Sequence, residues 1–163
     1  MSSFNVLESK KMFEEDPDKS NLLLSVESSF VNDQATIQAG DFVWHADFPP
    51  PLGGSSKSPS PIAQLLGALT SCAVLLIKDI LAPQFNVNIE GVKASITASI
   101  DARGLFGTDN VKSDLQRTNL DISIQTKESE DNLKPLFLAF QERCPVFLSF
   151  IKGLDVTSSF KVV

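Results

Sequence analysis

"SPSPIAQLLGALTSCAVLLIKDILAP", residues 58–83, decides how this chain is built. Ser60-Pro61 reads as a helix start. Ser60 is the N-cap, and Pro61 falls in the first turn, where a missing N–H costs nothing. From Ile62 to about Ala82 almost every face is apolar, the pattern of a helix enclosed on all sides, and Pro83 limits it. Cys72 stands in the middle of this helix, with Ala68, Leu69, Leu75 and Leu76 at helical spacing. The longest apolar stretch, Ile62 to Ile77, is sixteen residues with interruptions at Gln64, Thr70 and Ser71. A membrane span needs about 20, so a buried helix of a soluble protein is expected, without a membrane partner.

Strands flank this helix. Upstream, "NLLLSVESSF", "ATIQAG" and "FVWHADF" are separated by the turn formers Asn32-Asp33 and Gly40-Asp41, and read as a small antiparallel meander. "PPPLGGSSKSPSP", with five of the nine prolines, joins the meander to the helix as an ordered loop rather than an interdomain linker. Downstream, Ala94, Ile96, Ala98 and Ile100 alternate with Ser95, Thr97, Ser99 and Asp101. Leu120, Ile122 and Ile124 repeat the pattern. Period two marks half-buried strands of an antiparallel sheet.

"SEDNLKPLFLAFQER" begins with the N-cap candidates Ser129 and Asp131 and runs into a helix. Pro135 is expected in its first turn, which places the regular part from Asn132 to Lys134 onward. Cys144-Pro145 breaks this helix and opens "PVFLSFIKG", closed by Gly153. "LDVTSSFKVV" is expected as a final strand. Residues 1–20 are polar and read as a loose arm or short amphipathic segment, and residues 21–163 as a single domain. The order of elements is that of an α+β chain.

With 163 residues the chain can bury a sizeable core without disulfide staples. The formal charge of -6 and the absence of any Arg before Arg103 speak against nucleic acid, whose phosphates need clustered Lys and Arg. "MSSFNVLESKKMFEEDPDKS" has no apolar core of a secretory signal, so a cytoplasmic location is expected. One His (His45) and two distant cysteines offer no zinc spacing, and neither a metal nor a cofactor is expected.

Chemistry therefore rests on Cys72 and Cys144. Cys144 precedes a proline at a helix start, where the amide end of the helix favours the thiolate and lowers the pKa. Cys72 lies among aliphatic neighbours, where desolvation would raise it. Taken singly, each reads first as an inert, buried core cysteine.

"SPSPIAQLLGALTSC" resembles the motif of the OsmC/Ohr family, in which a Pro-led loop opens a central helix carrying a cysteine. "ADFPPPLGG" is similar to the segment that precedes it there. "DARGLFG" resembles the Asp-x-Arg-Gly loop of one OsmC-like branch, and "CPV" the second family cysteine. The resemblance runs from about residue 35 to the C-terminus. It implies an interlocked α+β homodimer, with antiparallel sheets wrapped around two central cysteine-bearing helices and sites at the subunit interface. It further implies thiol-dependent reduction of small hydroperoxides, in which Cys72 attacks, Cys144 resolves and an external dithiol restores both.

Two departures from the family pattern accompany the match. The peroxidase members carry a Glu nine residues before the cysteine, where this chain has Ala63 followed by Gln64. Their partner Arg lies in the N-terminal strand region, where this chain has none. Arg103, Arg143 and Gln64 are the available substitutes; Arg103 reads mainly as a brace for its own loop, and Gln64 supplies no charge. His45 reads as an outward-facing strand residue, and Phe137, Phe140, Phe147 and Phe150 as helix packing more than as a substrate pocket. Besides a peroxidase, the residues admit a non-catalytic dimer that binds a small apolar or thiol ligand, and a sulfur-transfer protein using a Cys72 persulfide.

Overall fold

The computed structural model describes residues 5–162, so the first four residues of the polar arm lie outside the described residues. Contacts divide the chain into two compact units, one ending at Ala68 and one beginning at Leu69.

In the first unit the polar arm is helical over Val6–Glu15 (α1), capped where Asn5 Oδ1 accepts the Leu7 N–H at 3.0 Å. Strands β1 (Glu27–Val31), β2 (Gln34–Ala39) and β3 (Phe42–Ala46) form the expected antiparallel meander, in the order β1-β2-β3. Asn32 and Asp33 both take the left-handed conformation, φ 52° and 62°, as a tight two-residue hairpin turn requires. Gly40, φ 56°, does the same for the second turn. The first strand is shorter than "NLLLSVESSF" suggests. Glu27 already faces Gln38 near the end of β2, so the residues before Glu27 run past the strand that could pair with them, and Leu22, Leu23 and Leu24 are exposed.

The proline-rich loop is ordered, as expected, by one carboxylate. Asp47 is only 6% exposed and accepts hydrogen bonds from Ser55 Oγ (2.8 Å), the Lys57 N–H (2.9 Å) and the Ser55 N–H (3.2 Å). These bonds, that of Lys57 first, hold its carboxyl below the usual range. Gly54 has no room for a side chain, because a Cβ there would overlap the Phe48 carbonyl.

Helix α2 spans Pro61–Gln84 and begins as read, with Ser60 Oγ accepting the Ala63 N–H at 3.2 Å. It is longer than the sixteen-residue apolar stretch. A wider π turn, Leu76–Leu81, carries it past Pro83, whose ring would strike the Asp79 carbonyl in an unbroken α-helix. By length and apolarity alone this helix could cross a membrane. In the second unit it gives the stripe Leu69, Ala73, Ile77 and Leu81 to the protein core. The expectation of burial on every face does not hold within this chain: Leu65 is 48% and Leu75 59% exposed. The row Leu69, Ala73, Ile77 and Leu81 packs inward, whereas Leu65, at the start of the same row, and Leu75, on the opposite face, are exposed.

Strands β4 (Ile89–Ser99) and β5 (Gln116–Thr126) pair antiparallel, with Val92 opposite Ile124, Ala94 opposite Ile122 and Ile96 opposite Leu120. The alternation read in the sequence holds for Ala94, Ile96, Leu120, Ile122 and Ile124, which with Val92 pack against the core; it does not extend to Ile100, because the register shifts after Thr97 and the strand ends at Ser99. Helix α3 (Glu130–Arg143) starts at Ser129, whose Oγ accepts the Asn132 N–H. It starts earlier than expected, and Pro135 lies inside it. The carbonyl deprived of its partner, that of Asp131, sits in an exposed first turn where solvent satisfies it. Helix α4 (Pro145–Lys152) follows and ends at Gly153, φ 71°. The final strand does not form: residues 154–162 pair with nothing described, and Leu154, Val156, Phe160 and Val162 are at least 70% exposed. Alternation alone makes no strand without an edge to bind.

Leu136, Phe140 and Cys144 complete the core with the α2 stripe. Each large side chain so buried contributes about 1.5–3 kcal/mol.

Candidate two-thiol site

Both cysteines belong to the second unit. Helix α2 carries Cys72 one position before Ala73, at the border of its buried stripe, so the residue packs against the core while staying partly exposed. Cys144 occupies the single residue between α3 and α4, and is fully buried. The two thiols meet: Cys144 Sγ donates to Cys72 Sγ at 3.4 Å.

Cys144 is placed by two helix ends at once. Its N–H closes α3 on the Phe140 carbonyl at 2.9 Å, and its sulfur caps α4 by accepting the Phe147 N–H at 3.5 Å. Pro145 starts α4 without an N–H to satisfy. The amide end of α4 does pull the Cys144 pKa down, as the sequence suggests, but the net shift is upward. Burial is the larger cause, and the contact with Cys72 adds to it. The local effect was legible and the opposing one is tertiary. Cys144 therefore keeps its proton and presents it to Cys72.

The other residues singled out lie in different networks. Arg103 Nε and Nη2 bind Asp101, and Nη1 binds Asp109 at 3.1 Å, so the guanidinium braces its own exposed loop. Gly104 in that loop packs too closely against Lys112 and Ser113 for any side chain. Arg143, next to Cys144, donates to Gln84 Oε1 at 3.2 Å and ties the end of α3 to the end of α2. Gln64 lies in the first unit, where it accepts from Trp44 Nε1 (2.9 Å) and donates to the carbonyls of His45 (2.7 Å) and Pro59 (3.2 Å). His45 is exposed and shares a hydrogen bond with Thr36 Oγ1 at 3.3 Å. Ala63 is exposed at the start of α2. Among the described residues no group of three or more His, Cys, Asp or Glu could hold a metal ion.

Phe140 is buried, stacks with Phe137 at 5.9 Å between ring centroids and meets Phe147 in a tilted pair at 5.4 Å. Phe147 and Phe150 pack against the core cluster. The aromatics are thus principally packing groups. The Phe147 N–H is the specific donor behind the helix-end effect that a cysteine directly before a helix-opening proline signals in the sequence.

A pair of thiols held by an α+β frame, one on a long central helix and one at a helix junction, defines a class of two-cysteine proteins. The model of the family described as OsmC-like protein matches residues 53–159, and the chain belongs to that family. The fold is similar to that of an OsmC-like protein from Mycoplasma pneumoniae, with 20% identity over 82% of this chain and 90% of that one and a TM-score of 0.69. An organic hydroperoxide resistance protein OsmC from Legionella pneumophila aligns over 82% of this chain and 93% of its own, at 17% identity and a TM-score of 0.63. An organic hydroperoxide resistance protein from Elizabethkingia anophelis aligns over 83% and 92%, at 12% identity and 0.64. No curated protein matches this chain in sequence.

Proposed function

We propose that this chain is a thiol-dependent peroxidase that reduces small organic or hydrogen peroxides in oxidative-stress defence, working in the cytoplasm as a homodimer. The observation that carries this reading is the 3.4 Å separation of the two reduced sulfurs, which belong to a partly exposed Cys72 and a buried Cys144. The hydroperoxide resistance activity named for the Legionella and Elizabethkingia proteins supports the same choice.

In this reading Cys72 thiolate attacks the distal peroxide oxygen. The O–O bond breaks, the alkoxide leaves and takes a proton from solvent, and Cys72 becomes a sulfenic acid. Cys144 then attacks Cys72 Sγ: the S–O bond breaks, the S–S bond forms, and the Cys144 proton leaves with the hydroxide as water. A dithiol reductant returns both sulfurs to thiols and is itself oxidised to a disulfide. The contact distance means that the S–S bond, about 2.05 Å long, forms by small side-chain movements.

Dimerisation is supported by what the chain leaves uncovered: Leu65, Leu75 and Ile80 on α2, and the alternating Leu154, Val156, Phe160 and Val162. Exposed apolar surface of this kind marks interaction sites, and a second chain would supply both a facing helix and a sheet edge.

The test is peroxide consumption driven by a dithiol. Turnover is expected in the unaltered protein, loss of it in Cys72→Ser, and rapid overoxidation in Cys144→Ser. Unimpaired turnover in Cys72→Ser would refute the assignment.

A second reading has a specific observation behind it. Arg103 and Gln64 bind other partners, and Arg143 is tied to Gln84, which suits a dimer that binds an apolar or thiol ligand, or carries a persulfide on Cys72. Alkylation of Cys72 that accelerates only as the pH passes the ordinary thiol range would favour it.

A further inference from the structure

We propose that the cleft between the first hairpin and the proline-rich loop binds a small organic ammonium ion that carries an apolar body. The site lies wholly in the first unit and neither cysteine lines it, so it stands or falls apart from the peroxidase reading.

Two adjoining cavities, of about 380 Å³ and about 130 Å³, share Phe30, Asp33, Asp47 and Phe48 in their walls. The larger also takes in the Gly53-Gly54 turn and Lys57, and the smaller is lined by Ala35, Ala46 and Pro61. A Gly-Gly loop ordinarily suggests an anion cradle, in which successive backbone N–H groups point at a phosphate or carboxylate. Here the hydrogen bonds exclude it. The five N–H groups from Gly53 to Lys57 are all spent: Gly53 on the Pro50 carbonyl (3.0 Å), Gly54 on that of Pro49 (3.3 Å), Ser56 on that of Phe48 (3.1 Å), and Ser55 and Lys57 on Asp47 (3.2 and 2.9 Å). The loop's donors are consumed inside the protein, so a ligand meets carbonyl and carboxylate oxygens instead.

Asp47 supplies the buried part of the charge. Its carboxyl is held below the usual range and is ionised at neutral pH. Oδ2 accepts the Ser55 hydroxyl, the Ser55 N–H and the Lys57 N–H, whereas Oδ1 accepts the Ser55 N–H at 3.4 Å, the longest of these contacts, and keeps capacity for a stronger donor. Asp33, in the turn between β1 and β2, adds an exposed second carboxylate. Two carboxylates against the single ammonium of Lys57 leave the lining with one net negative charge. Phe30, 78% exposed on β1, and Phe48, 42% exposed, put aromatic surface at the same place. An aromatic face attracts a cation and also covers an apolar body. Carboxylates, aromatic side chains and spent donors together favour an organic cation over a neutral or anionic molecule of the same shape.

The full chain, isotopically labelled for amide NMR, is titrated at neutral pH with phenethylammonium and in parallel with phenethyl alcohol and phenylacetate, which keep the ring and change the charge. Saturable shifts of the Asp33, Phe48 and Ser55 amide signals are expected with the ammonium compound and not with the other two. Asp33→Asn removes a charge at a position where asparagine tolerates the left-handed backbone, and should weaken binding about threefold. Phe30→Leu keeps an apolar side chain but loses the ring, and should weaken it by a similar factor. Lys57→Met leaves the backbone N–H on Asp47, removes the like charge and should tighten binding about twofold. The remaining amide signals report the fold of each variant in the same spectra. No saturable shift with phenethylammonium, equal shifts with all three compounds, or shifts confined to residues outside the cleft would each overturn the proposal. So would Asp33→Asn and Phe30→Leu that fold and bind as the unaltered chain does.

Discussion

Cys144 Sγ stands 3.4 Å from Cys72 Sγ although 72 residues separate them in the chain. Bridging them closes a long loop in the unfolded state while disturbing the folded state little, and for a loop of that length the chain-entropy relation gives about 4 kcal/mol. The oxidised protein should therefore unfold at a clearly higher denaturant midpoint than the reduced one. Paired urea titrations with and without reductant check this, and Cys144→Ser should erase the difference.

The pH dependence of the reduced protein follows from Cys144. Its pKa is raised by burial, so in the thiol range the folded state holds a proton that the unfolded chain has released. Stability contributed by the neutral thiol is complete below the unfolded pKa and is lost as the pH rises through the ordinary thiol range toward the folded value. The slope for one proton is at most about 1.4 kcal/mol per pH unit. Urea midpoints measured from neutral to alkaline pH should show this decline, and it should be shallower in Cys144→Ser. An unchanged slope in the variant would place the titrating group elsewhere.

Asp47 titrates in the opposite sense. Its carboxyl is held low, chiefly by the Lys57 N–H, so it favours the fold above the ordinary carboxylate range, and that contribution is lost as the pH falls through its depressed value. Asp47→Asn should lower the melting temperature at neutral pH and lose less on acidification than the unaltered chain does. Gly54→Ala should damage the same loop, because its Cβ would overlap both the Phe48 carbonyl and Asp47 Oδ1, and it should likewise lower the melting temperature at neutral pH and blunt the acid dependence.

What was legible in the sequence was what local rules decide. The Ser60-Pro61 start, the Asn32-Asp33 turn and the facing of Ala94 and Ile96 toward Ile122 and Leu120 each depend on residues close in the chain or on period two. What was not legible depends on partners. The segment from Leu154 alternates like a strand, but alternation does not say whether an edge is available. Pro135 is expected in the first turn, where its missing N–H costs nothing, but it lies inside the helix, and the turn whose carbonyl it leaves free is exposed. The site shows the same division: the helix-end effect on Cys144 is written in "CPV", and the burial that outweighs it is assembled from α2, α3 and the sheet.

Arg103 offers a sharp negative expectation. Its donors are spent on Asp101 and Asp109 in an exposed loop, and exposed ion pairs contribute little. Arg103→Ala should change peroxide turnover by less than about twofold, a bound typical of surface charges outside an active site. A loss of a hundredfold would bring the guanidinium into the chemistry and revive it as the substitute for the family's cation.

The exposure of Leu75 on α2 makes the last prediction. Leu75 is 59% exposed on a helix whose opposite stripe, Leu69, Ala73 and Ile77, is almost wholly buried. An isolated chain gains nothing from keeping that leucine in water, while a second copy would bury it and contribute about 1.5–3 kcal/mol per such side chain. Leu75→Asp should leave the helix content unchanged, because the residue touches solvent rather than core, and should halve the mass measured by light scattering. If the unaltered protein is already monomeric at micromolar concentration, the homodimer fails. If Leu75→Asp stays dimeric, the interface lies on another face of the molecule, with the exposed segment after Leu154 as the next surface to alter.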